Sequence, residues 1–407
     1  MFIQRPVYLR KIEPFIDKAV VKIVTGVRRC GKSVLMLQVM DLLKSQGVED
    51  GRIVLMNFDT FETGERPDAS EVYQALKARS RAAGARIYVF LDEIQELRGW
   101  EKLVNSCITE LDVDVYLTGS NSKMLSREYA SMLTGRYVTI NVYPFSFSET
   151  LAMRQLHGQE TTRQEAFNGY LLYGGMPFVC QLDDGHSKLQ YLRDVAEAII
   201  SKDITERYKV RDLDLLKRTV AFLMSTIGNM SSANNIANYF RAQGRAVSWE
   251  TVSNYVEYLK TACLFLPAAQ IDVSGKAILR ASEKLYLTDH GFREAIYGKN
   301  LTNASQVLEN IVYLELLRHE YQVNIGRVGR QEVDFVAKRD GRVLYVQVCY
   351  LLASDEIAQR ELRPLQQIKD NYPKLILSLD PIDLSRDGIQ HLSIIDFLAE
   401  DYAARQH

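Results

Sequence analysis

The sequence lacks several features that would place it in a specialised protein class. Its five cysteines, at positions 30, 107, 180, 263 and 349, never form a CxxC pair, so neither a disulfide framework nor a zinc site is expected. No run of 18 apolar residues occurs, and the first residues, MFIQRPVYLRK, lack the apolar core of an export signal. We therefore expect a cytoplasmic protein that does not span a membrane.

An excess of charge of one sign is also missing. With 50 Lys and Arg residues against 51 Asp and Glu residues, the net charge of −1 argues against a protein that coats nucleic acid by charge alone, although it leaves a local basic groove open. The 47% hydrophobic and 25% charged residues are typical of a globular protein. A chain of 407 residues exceeds the size at which a single core stops growing, so several domains are expected.

Short apolar runs alternate with helical patterns over the first 145 residues. The runs span 19–26, 51–59, 86–93, 112–120 and 136–144. Helical spacing follows the first run and recurs around 70–83, 100–111 and 122–133. Runs that are apolar on both faces predict an α/β fold, with a parallel sheet covered by helices on each side.

The loop between the first strand and helix carries a complete GxxxxGKS phosphate-binding motif. It reads Gly26-Val27-Arg28-Arg29-Cys30-Gly31-Lys32-Ser33. The two glycines let the backbone point N–H groups at phosphate, Lys32 would reach the β and γ phosphates, and the Ser33 hydroxyl would bind Mg²⁺. We expect residues 26–34, which end at Val34, to bind a nucleoside triphosphate.

Polar residues follow two further buried strands. Asp92 and Glu93 end the run YVFLDE, at the edge where open α/β sheets hold their ligands. Asp92 would hold magnesium through water, and Glu93 would polarise the water that attacks the γ-phosphate. After the next strand, Asn121 is the preferred contact to that water or to the γ-phosphate, with Ser120 second. The alternative is that Ser120 or Ser122 caps the following helix.

Arg136 lies between a helical segment and the last strand of this region. Supplied across a subunit boundary, its guanidinium would neutralise charge in the transition state, and Arg127 is the second candidate for that role. The alternative is an ordinary surface arginine or ion pair. The predicted catalytic residues are therefore Lys32, Glu93, Asn121 and Arg136.

Together, the segments GVRRCGKS, VFLDEIQ, LTGSNS, LTGRY and YGGMP resemble the bacterial and archaeal AAA+-superfamily ATPases that carry a C-terminal domain of unknown function. The resemblance extends over essentially the whole chain and implies an AAA+-like P-loop ATPase core, which we assign to residues 1–145. In related signal-transduction and archaeal ATPases a glycine-x-proline of the lid packs near the adenine. The resemblance implies that role for Pro177 in Gly175-Met176-Pro177.

The middle of the chain is predominantly helical. Residues 146–209 have helical periodicity throughout, which fits a helical lid. Residues 210–295 read helix, turn, helix and strand, a winged-helix arrangement in which Ser248 caps the second helix. That helix carries Glu250, Glu257 and Lys260, so its face is net acidic and favours a structural or assembly role over DNA contact.

Residues 296–407 read helix, strand, strand, helix, strand. The helix spans 305–321, two strands form a hairpin at Asp340-Gly341, a second helix spans 355–371, and KLILSLD is the last strand. This region is similar to the PD-(D/E)XK nuclease fold, the restriction-endonuclease-like fold. The resemblance implies metal-binding acids at Glu309 and Asp334.

The third nuclease position departs from the family pattern. Gln347 stands where a metal-binding carboxylate is common, and Cys349 where the lysine belongs. Gln347 would bind a dication more weakly than a carboxylate, and a thiol replaces neither the charge nor the basicity of lysine. Lys338 on the neighbouring strand is the candidate substitute, with an exposed hairpin lysine as the alternative. We expect a degenerate domain that does not cleave.

The main functional prediction is an ATP-hydrolysing, homo-oligomeric machine or switch, with ATP and Mg²⁺ as cofactors and a C-terminal domain that engages DNA without cutting it. Two alternatives stay open. One is an ATP-regulated, metal-dependent endonuclease. The other is a protein-sensing scaffold of the signal-transduction (STAND) type that uses ATP as a structural ligand, so DNA and protein are both open as partners.

Overall fold

The computed structural model describes residues 2–59, 68–120, 135–273, 278–298 and 300–400. The chain forms two compact units. The first consists of Met1–Val142 with Thr261–Cys263, and the second of Tyr143–Lys260 with Leu264–His407. Over these described ranges, each unit contains one β-sheet.

The first unit contains a five-stranded parallel sheet. Its strands are β1 Val21–Thr25, β2 Ile53–Asn57, β3 Ile87–Asp92, β4 Val113–Gly119 and β5 Tyr137–Asn141, in the order β2-β3-β4-β1-β5. Its helices include Pro6–Ile12, Lys32–Ser45, Ala69–Ala83 and Trp100–Glu110. The predicted α/β fold with a parallel sheet is confirmed, while the helix predicted at 122–133 lies outside the described residues.

Burial explains why these strands are central. Every residue of β1 and β3 is buried, as expected for apolar runs covered on both faces. The helix Ala69–Ala83 lies over the sheet and begins with a reciprocal capping box between Asp68 and Glu71. Because the sheet is parallel, the carboxyl ends of β1, β3 and β4 meet at one edge, where the polar residues of the motifs lie.

The second unit begins with helices. They are Phe147–Leu156, Arg163–Tyr173, Gly185–Ala198, a π-helical turn Ile199–Glu206, Leu213–Ser225, Ala233–Ala242 and Trp249–Thr261. The helical periodicity predicted for 146–209 is confirmed. So is the cap at Ser248, whose hydroxyl accepts a hydrogen bond from the amide of Thr251 at 3.2 Å. No helix in the described ranges is both long enough and apolar enough to span a membrane.

One eight-stranded sheet runs through the rest of the second unit. Its strands are β6 Met230–Ser231, β7 Phe265–Asp272, β8 Ile278–Leu287, β9 Gln322–Val328, β10 Gln331–Arg339, β11 Arg342–Val348, β12 Lys374–Ser378 and β13 Gln390–Ser393. Their order is β13-β12-β11-β10-β9-β7-β8-β6. The helices Gly291–Tyr297, Ala304–Arg318, Asp355–Gln366 and Ile394–Ala399 belong to the same region. Since β7 pairs with β9, the sheet continues across the predicted domain boundary at 295/296.

The predicted hairpin is confirmed, but the predicted element order omitted β9. Asp340 and Gly341 both have positive φ, as a two-residue turn between β10 and β11 requires. The order after residue 303 is helix, three strands, helix, two strands, helix. Polar Gln322, Asn324 and Arg327 weaken the apolar pattern of β9, which nevertheless pairs with neighbours on both sides.

Candidate nucleotide site

The phosphate-binding motif forms a tight loop between β1 and the helix Lys32–Ser45. Gly26 has φ +154°, and a Cβ there would lie 2.2 Å from the carbonyl oxygen of Val142. Arg29 and Gly31 also have positive φ, at 69° and 103°. Among the described residues no side chain caps the helix at Gly31, so the N–H groups of its first turn stay available to an anion.

The Lys32 ammonium lies inside this loop. Its Nζ donates hydrogen bonds to the carbonyl oxygens of Gly26, at 3.1 Å, and Val27, at 3.3 Å. It also lies 3.5 Å from Oε1 of Glu93. Burial by itself would lower the pKa of Lys32, but the neighbouring acidic groups, including Cys30 and Glu93, more than offset it and raise the pKa. The lysine is therefore charged and already lies where phosphate binds in such loops.

Glu93 is held at the end of β3 in an uncommon conformation. Its φ is +52°, in the left-handed region that is costly for a residue with a side chain. Its carboxylate accepts a hydrogen bond from the Gln95 amide. Burial would raise the pKa of Glu93, but Lys32, Gln95 and Arg28 lower it overall. Glu93 is therefore a carboxylate at neutral pH, which a general base must be.

Thr118 on β4 contacts both acids of the motif. Its hydroxyl donates to Oδ1 of Asp92 and accepts a hydrogen bond of 2.8 Å from the backbone amide of Glu93. Asn57, at the end of β2, donates from Nδ2 to Oδ2 of Asp92 at 3.0 Å. These contacts fix Asp92 and Glu93 across three neighbouring strands. The role of Asn57 was missed because a single Asn after an apolar run is a common strand ending.

The oxygen donors here fit magnesium bound together with a nucleotide. Ser33 is exposed in the first turn of the uncapped helix, and Asp92 is 3% exposed at the end of β3. Mg²⁺ usually takes one or two protein oxygens and completes its shell with water and phosphate. Within the described part of the chain, no three His, Cys, Asp or Glu side chains form a metal site by themselves. Ser33 and Asp92 would thus share the ion with the phosphates.

The other predicted residues of this region are only partly accounted for. Ser120 is buried just after β4, whereas Asn121 and Arg127 lie outside the described residues. Arg136 is exposed, and its carbonyl oxygen accepts a hydrogen bond from the amide of Val21 at the start of β1. Its predicted catalytic role stays a prediction. The flanking Val34 is half-buried in the first helical turn.

The YGGMP segment belongs to the second unit, and the carboxyl group of Asp289 packs against its two glycines. Oδ2 of Asp289 accepts a 2.8 Å hydrogen bond from the amide of Gly175, and Oδ1 accepts one of 2.8 Å from Gly291. A Cβ at Gly174 would lie 1.8 Å from the same carboxyl group. Burial raises the pKa of Asp289 to about 7. Pro177 begins the short helix Pro177–Gln181, and its predicted contact with adenine stays a prediction.

The predicted nuclease residues do converge, but around a lysine that sequence reasoning missed. Lys284 on β8 places Nζ 2.9 Å from Oε1 of Glu309 and 2.6 Å from Oε1 of Glu332. Burial raises the pKa of both Glu309 and Asp334, although Lys284 opposes that rise. The signal in the sequence was the alternation in β8, which puts Lys284 and Tyr286 on one face of a strand expected to be buried.

Gln347, Cys349 and Lys338 differ in their relation to this cluster. Oε1 of Gln347 accepts a 3.3 Å hydrogen bond from the amide of Asp334 on the paired strand. Cys349 is buried, and burial raises the pKa of its thiol to about 12, so it is no base at neutral pH. Lys338 is four residues beyond Asp334 on β10, about 13 Å along the strand, and so lies at the hairpin end.

Two family models match parts of the chain. Residues 18–151 match an AAA domain, and residues 164–304 match a domain of unknown function. A protein of Haemophilus influenzae described as uncharacterized is 35% identical over 399 residues, which cover 98% of this chain and 99% of that protein. An uncharacterized protein of Methanocaldococcus jannaschii is 28% identical over 399 residues, covering 92% of this chain and 85% of the relative.

A solved structure shares the fold. The Walker-type ATPase of Pyrococcus abyssi superposes with a TM-score of 0.50 and 16% sequence identity, covering 73% of this chain and 96% of that one. At this level of identity the likeness establishes the fold alone. It agrees with an α/β fold that contains a parallel sheet.

Proposed function

The chain belongs to the protein family that includes the Haemophilus influenzae relative, with an AAA domain at residues 18–151, and from this premise we propose that it binds ATP with Mg²⁺ and hydrolyses it. The observation that carries the proposal is the meeting of Lys32 and Glu93, 3.5 Å apart, beside the uncapped end of the helix Lys32–Ser45. A loop that only binds a nucleotide needs the lysine but not the adjacent carboxylate.

Each residue has a distinct task in this proposal. Loop amides and Lys32 bind the triphosphate, and Lys32 offsets negative charge that moves toward the leaving oxygen. Ser33 and, through water, Asp92 would hold Mg²⁺, which would offset further phosphate charge. Glu93 accepts a proton from the attacking water. The hydroxyl of Thr118 holds the backbone amide of Glu93 in place.

Substitution of Glu93 tests whether hydrolysis occurs at this site. In Glu93→Gln the shape of the side chain is retained but the base is lost, so ATP affinity should persist while phosphate release falls about 10²- to 10⁴-fold. The matched control is Glu49→Gln. Glu49 is exposed and precedes the amino end of β2, whereas the site lies at the carboxyl ends of the strands. ATP binding by calorimetry and phosphate release are measured on the same samples. Release that Glu93→Gln leaves unchanged contradicts the assignment of the base.

The wild-type chain decides between an ATPase and a scaffold that uses ATP only as a structural ligand. If the protein binds ATP with Mg²⁺ but phosphate is released no faster than from ATP in buffer alone, the scaffold alternative is correct. We propose hydrolysis because Glu93 is a partly exposed carboxylate beside Lys32 and is held in a strained backbone conformation.

We infer that the chain acts as a homo-oligomeric machine or switch in which Arg136 completes a neighbour's site. Its exposure and its place directly before β5, an edge strand of the sheet, support this role. Hydrolysis would then depend on assembly. Size-exclusion chromatography with light scattering, measured together with ATPase rate over a concentration series, should show turnover per subunit rising as the oligomer forms.

For the second unit, we propose a winged-helix arrangement followed by a nuclease-like domain that does not cleave. The succession of three helices and the β7–β8 hairpin supports the winged helix. The order helix, three strands, helix, strand from Ala304 to Ser378, which a further strand and helix follow, supports the nuclease-like domain. The substitution of lysine by buried Cys349 argues against cleavage. Metal-dependent nicking of plasmid DNA that disappears in Asp334→Ala would instead establish the endonuclease alternative.

DNA is proposed as the partner of this unit. We expect duplex, branched or single-stranded DNA to change the ATPase rate of the full chain. A rate that none of these DNAs changes, in a protein that shows no DNA-dependent mobility shift, favours the protein-sensing alternative.

A further inference from the structure

Lys284 occupies the centre of an acidic cluster that we define by Glu309, Glu332 and Asp334. The lysine is 4% exposed on β8, between β6 and β7 in the sheet. Its ammonium contacts Oε1 of Glu309 at 2.9 Å and Oε1 of Glu332 at 2.6 Å. A buried ammonium is stable only when paired with carboxylates, and here it has two.

One oxygen of each predicted metal ligand is already hydrogen-bonded within the protein. Tyr286 also donates its hydroxyl hydrogen to Oε1 of Glu309. Oδ2 of Asp334 accepts a 2.8 Å hydrogen bond from the amide of Val348, and Oε1 of Gln347 accepts one from the amide of Asp334. The other end of Gln347 donates to Oε2 of Glu361 at 3.3 Å. Each of the three predicted ligands therefore has an oxygen committed to an internal donor.

The residues present thus do not fit the divalent metal implied by a nuclease-like fold. A dication bound to Glu309 would lie within a few ångströms of the Lys284 ammonium, and the two positive charges would repel at short range in a poorly hydrated site. We propose that Lys284 is the resident cation of the acidic cluster and that it excludes a divalent metal from Glu309, Asp334 and Gln347. The cluster is then a structural centre, held together by the ion pairs of Lys284 with Glu309 and Glu332.

Manganese binding to the nucleotide-free full chain tests the proposal. Wild type and Glu309→Gln should bind Mn²⁺ equally in calorimetry or electron paramagnetic resonance, because the cluster takes up none. Lys284→Met, which keeps length but loses charge, should gain one Mn²⁺ site at least about tenfold tighter than any wild-type site, as one added charge–charge contact implies. Adding Asp334→Asn to Lys284→Met should abolish the gain.

Lys338→Met is the matched control, since Lys338 lies at the far end of β10 from Asp334. It should leave Mn²⁺ binding unchanged. Mn²⁺ bound by wild type and lost in Glu309→Gln would overturn the proposal, as would a folded Lys284→Met variant that gains no site. If Lys284→Met does not fold, the comparison of wild type with Glu309→Gln still decides. ATP hydrolysis is tested separately with Glu93→Gln. A failure of the proposed ATPase function can therefore be distinguished from a failure of the proposed role of Lys284.

Discussion

Removing the hydroxyl of Thr118 tests whether the acids of the nucleotide site are positioned by β4. Thr118 is fully buried, and its hydroxyl joins Asp92 to the backbone of Glu93. In Thr118→Val the side chain keeps its branched shape, but both hydrogen bonds are lost and the amide of Glu93 has no partner from this residue. We therefore expect displaced acids rather than an unfolded chain.

The expected size follows from the two contacts. A hydrogen bond to a charged group contributes about 1.5–3 kcal/mol, and a buried amide left unpaired costs about 1–3 kcal/mol. If about 1.4–2.8 kcal/mol of this falls on the transition state, kcat decreases about 10- to 100-fold. The KM for ATP should change less than about threefold, because the loop amides and Lys32 still bind the phosphates.

The assay is steady-state phosphate release, with ATP affinity from calorimetry and the unfolding midpoint from circular dichroism. Thr139→Val, a half-buried threonine on β5 of the same sheet, is the matched control for loss of a strand hydroxyl. Equal kcat in Thr118→Val and Thr139→Val would refute the positioning role. A large rise in KM with unchanged kcat would refute it too, since the hydroxyl would then act in nucleotide binding.

Two further predictions concern Arg136 and Asp289. Subunits with Arg136→Ala and subunits with Glu93→Gln, each inactive alone, should partly recover ATPase activity when mixed if the arginine acts across an interface; recovery no greater than for Arg136→Ala mixed with itself would contradict this. For Asp289, the folded pKa of about 7 lies above the ordinary 3.8, so its contribution to stability is full below about pH 4 and is lost as pH rises to about 7. The unfolding free energy of wild type relative to Asp289→Asn should therefore fall by about 1.4 kcal/mol per pH unit across that window in urea titrations. Burial lowers the pKa of His290 to about 4, so this histidine makes the unfolding free energy rise with pH, but it does so in both proteins. If the unfolding free energies of wild type and Asp289→Asn run parallel with pH, the pKa of Asp289 is not raised and the prediction is wrong.

The first half of the nucleotide site could be predicted from sequence because its determinants are contiguous. The residues from Gly26 to Ser33 follow one strand and begin one helix, so local backbone chemistry specifies the loop. Asp92 and Glu93 were found for the same reason, as they directly end a fully buried apolar strand. Fold class followed from the same runs.

Residues supplied by strand pairing could not be placed in this way. Thr118 and Asn57 reach Asp92 only because β4 and β2 flank β3, and no local pattern gives that order. Lys284 is distant from Glu309 in sequence and meets it through β8. The strand β9 is short, and Gly326 and Arg327 interrupt its alternation of apolar and polar residues, so its pairing with β7 and β10 is clear only from the sheet.

The two lysine–glutamate pairs show why similar chemistry leads to different proposals. Lys32 lies 3.5 Å from Glu93, and its ammonium otherwise contacts loop carbonyls next to a helix end that attracts anions. An incoming phosphate can replace those contacts without leaving the lysine unpaired. Lys284 contacts Glu309 at 2.9 Å and has Glu332 on a second side, while Tyr286 occupies the same carboxylate oxygen. Separating Lys284 from Glu309 would leave a buried charge without a partner. The pair of Lys32 and Glu93 is therefore suited to exchange with a ligand, and the pair of Lys284 and Glu309 to a permanent structural role.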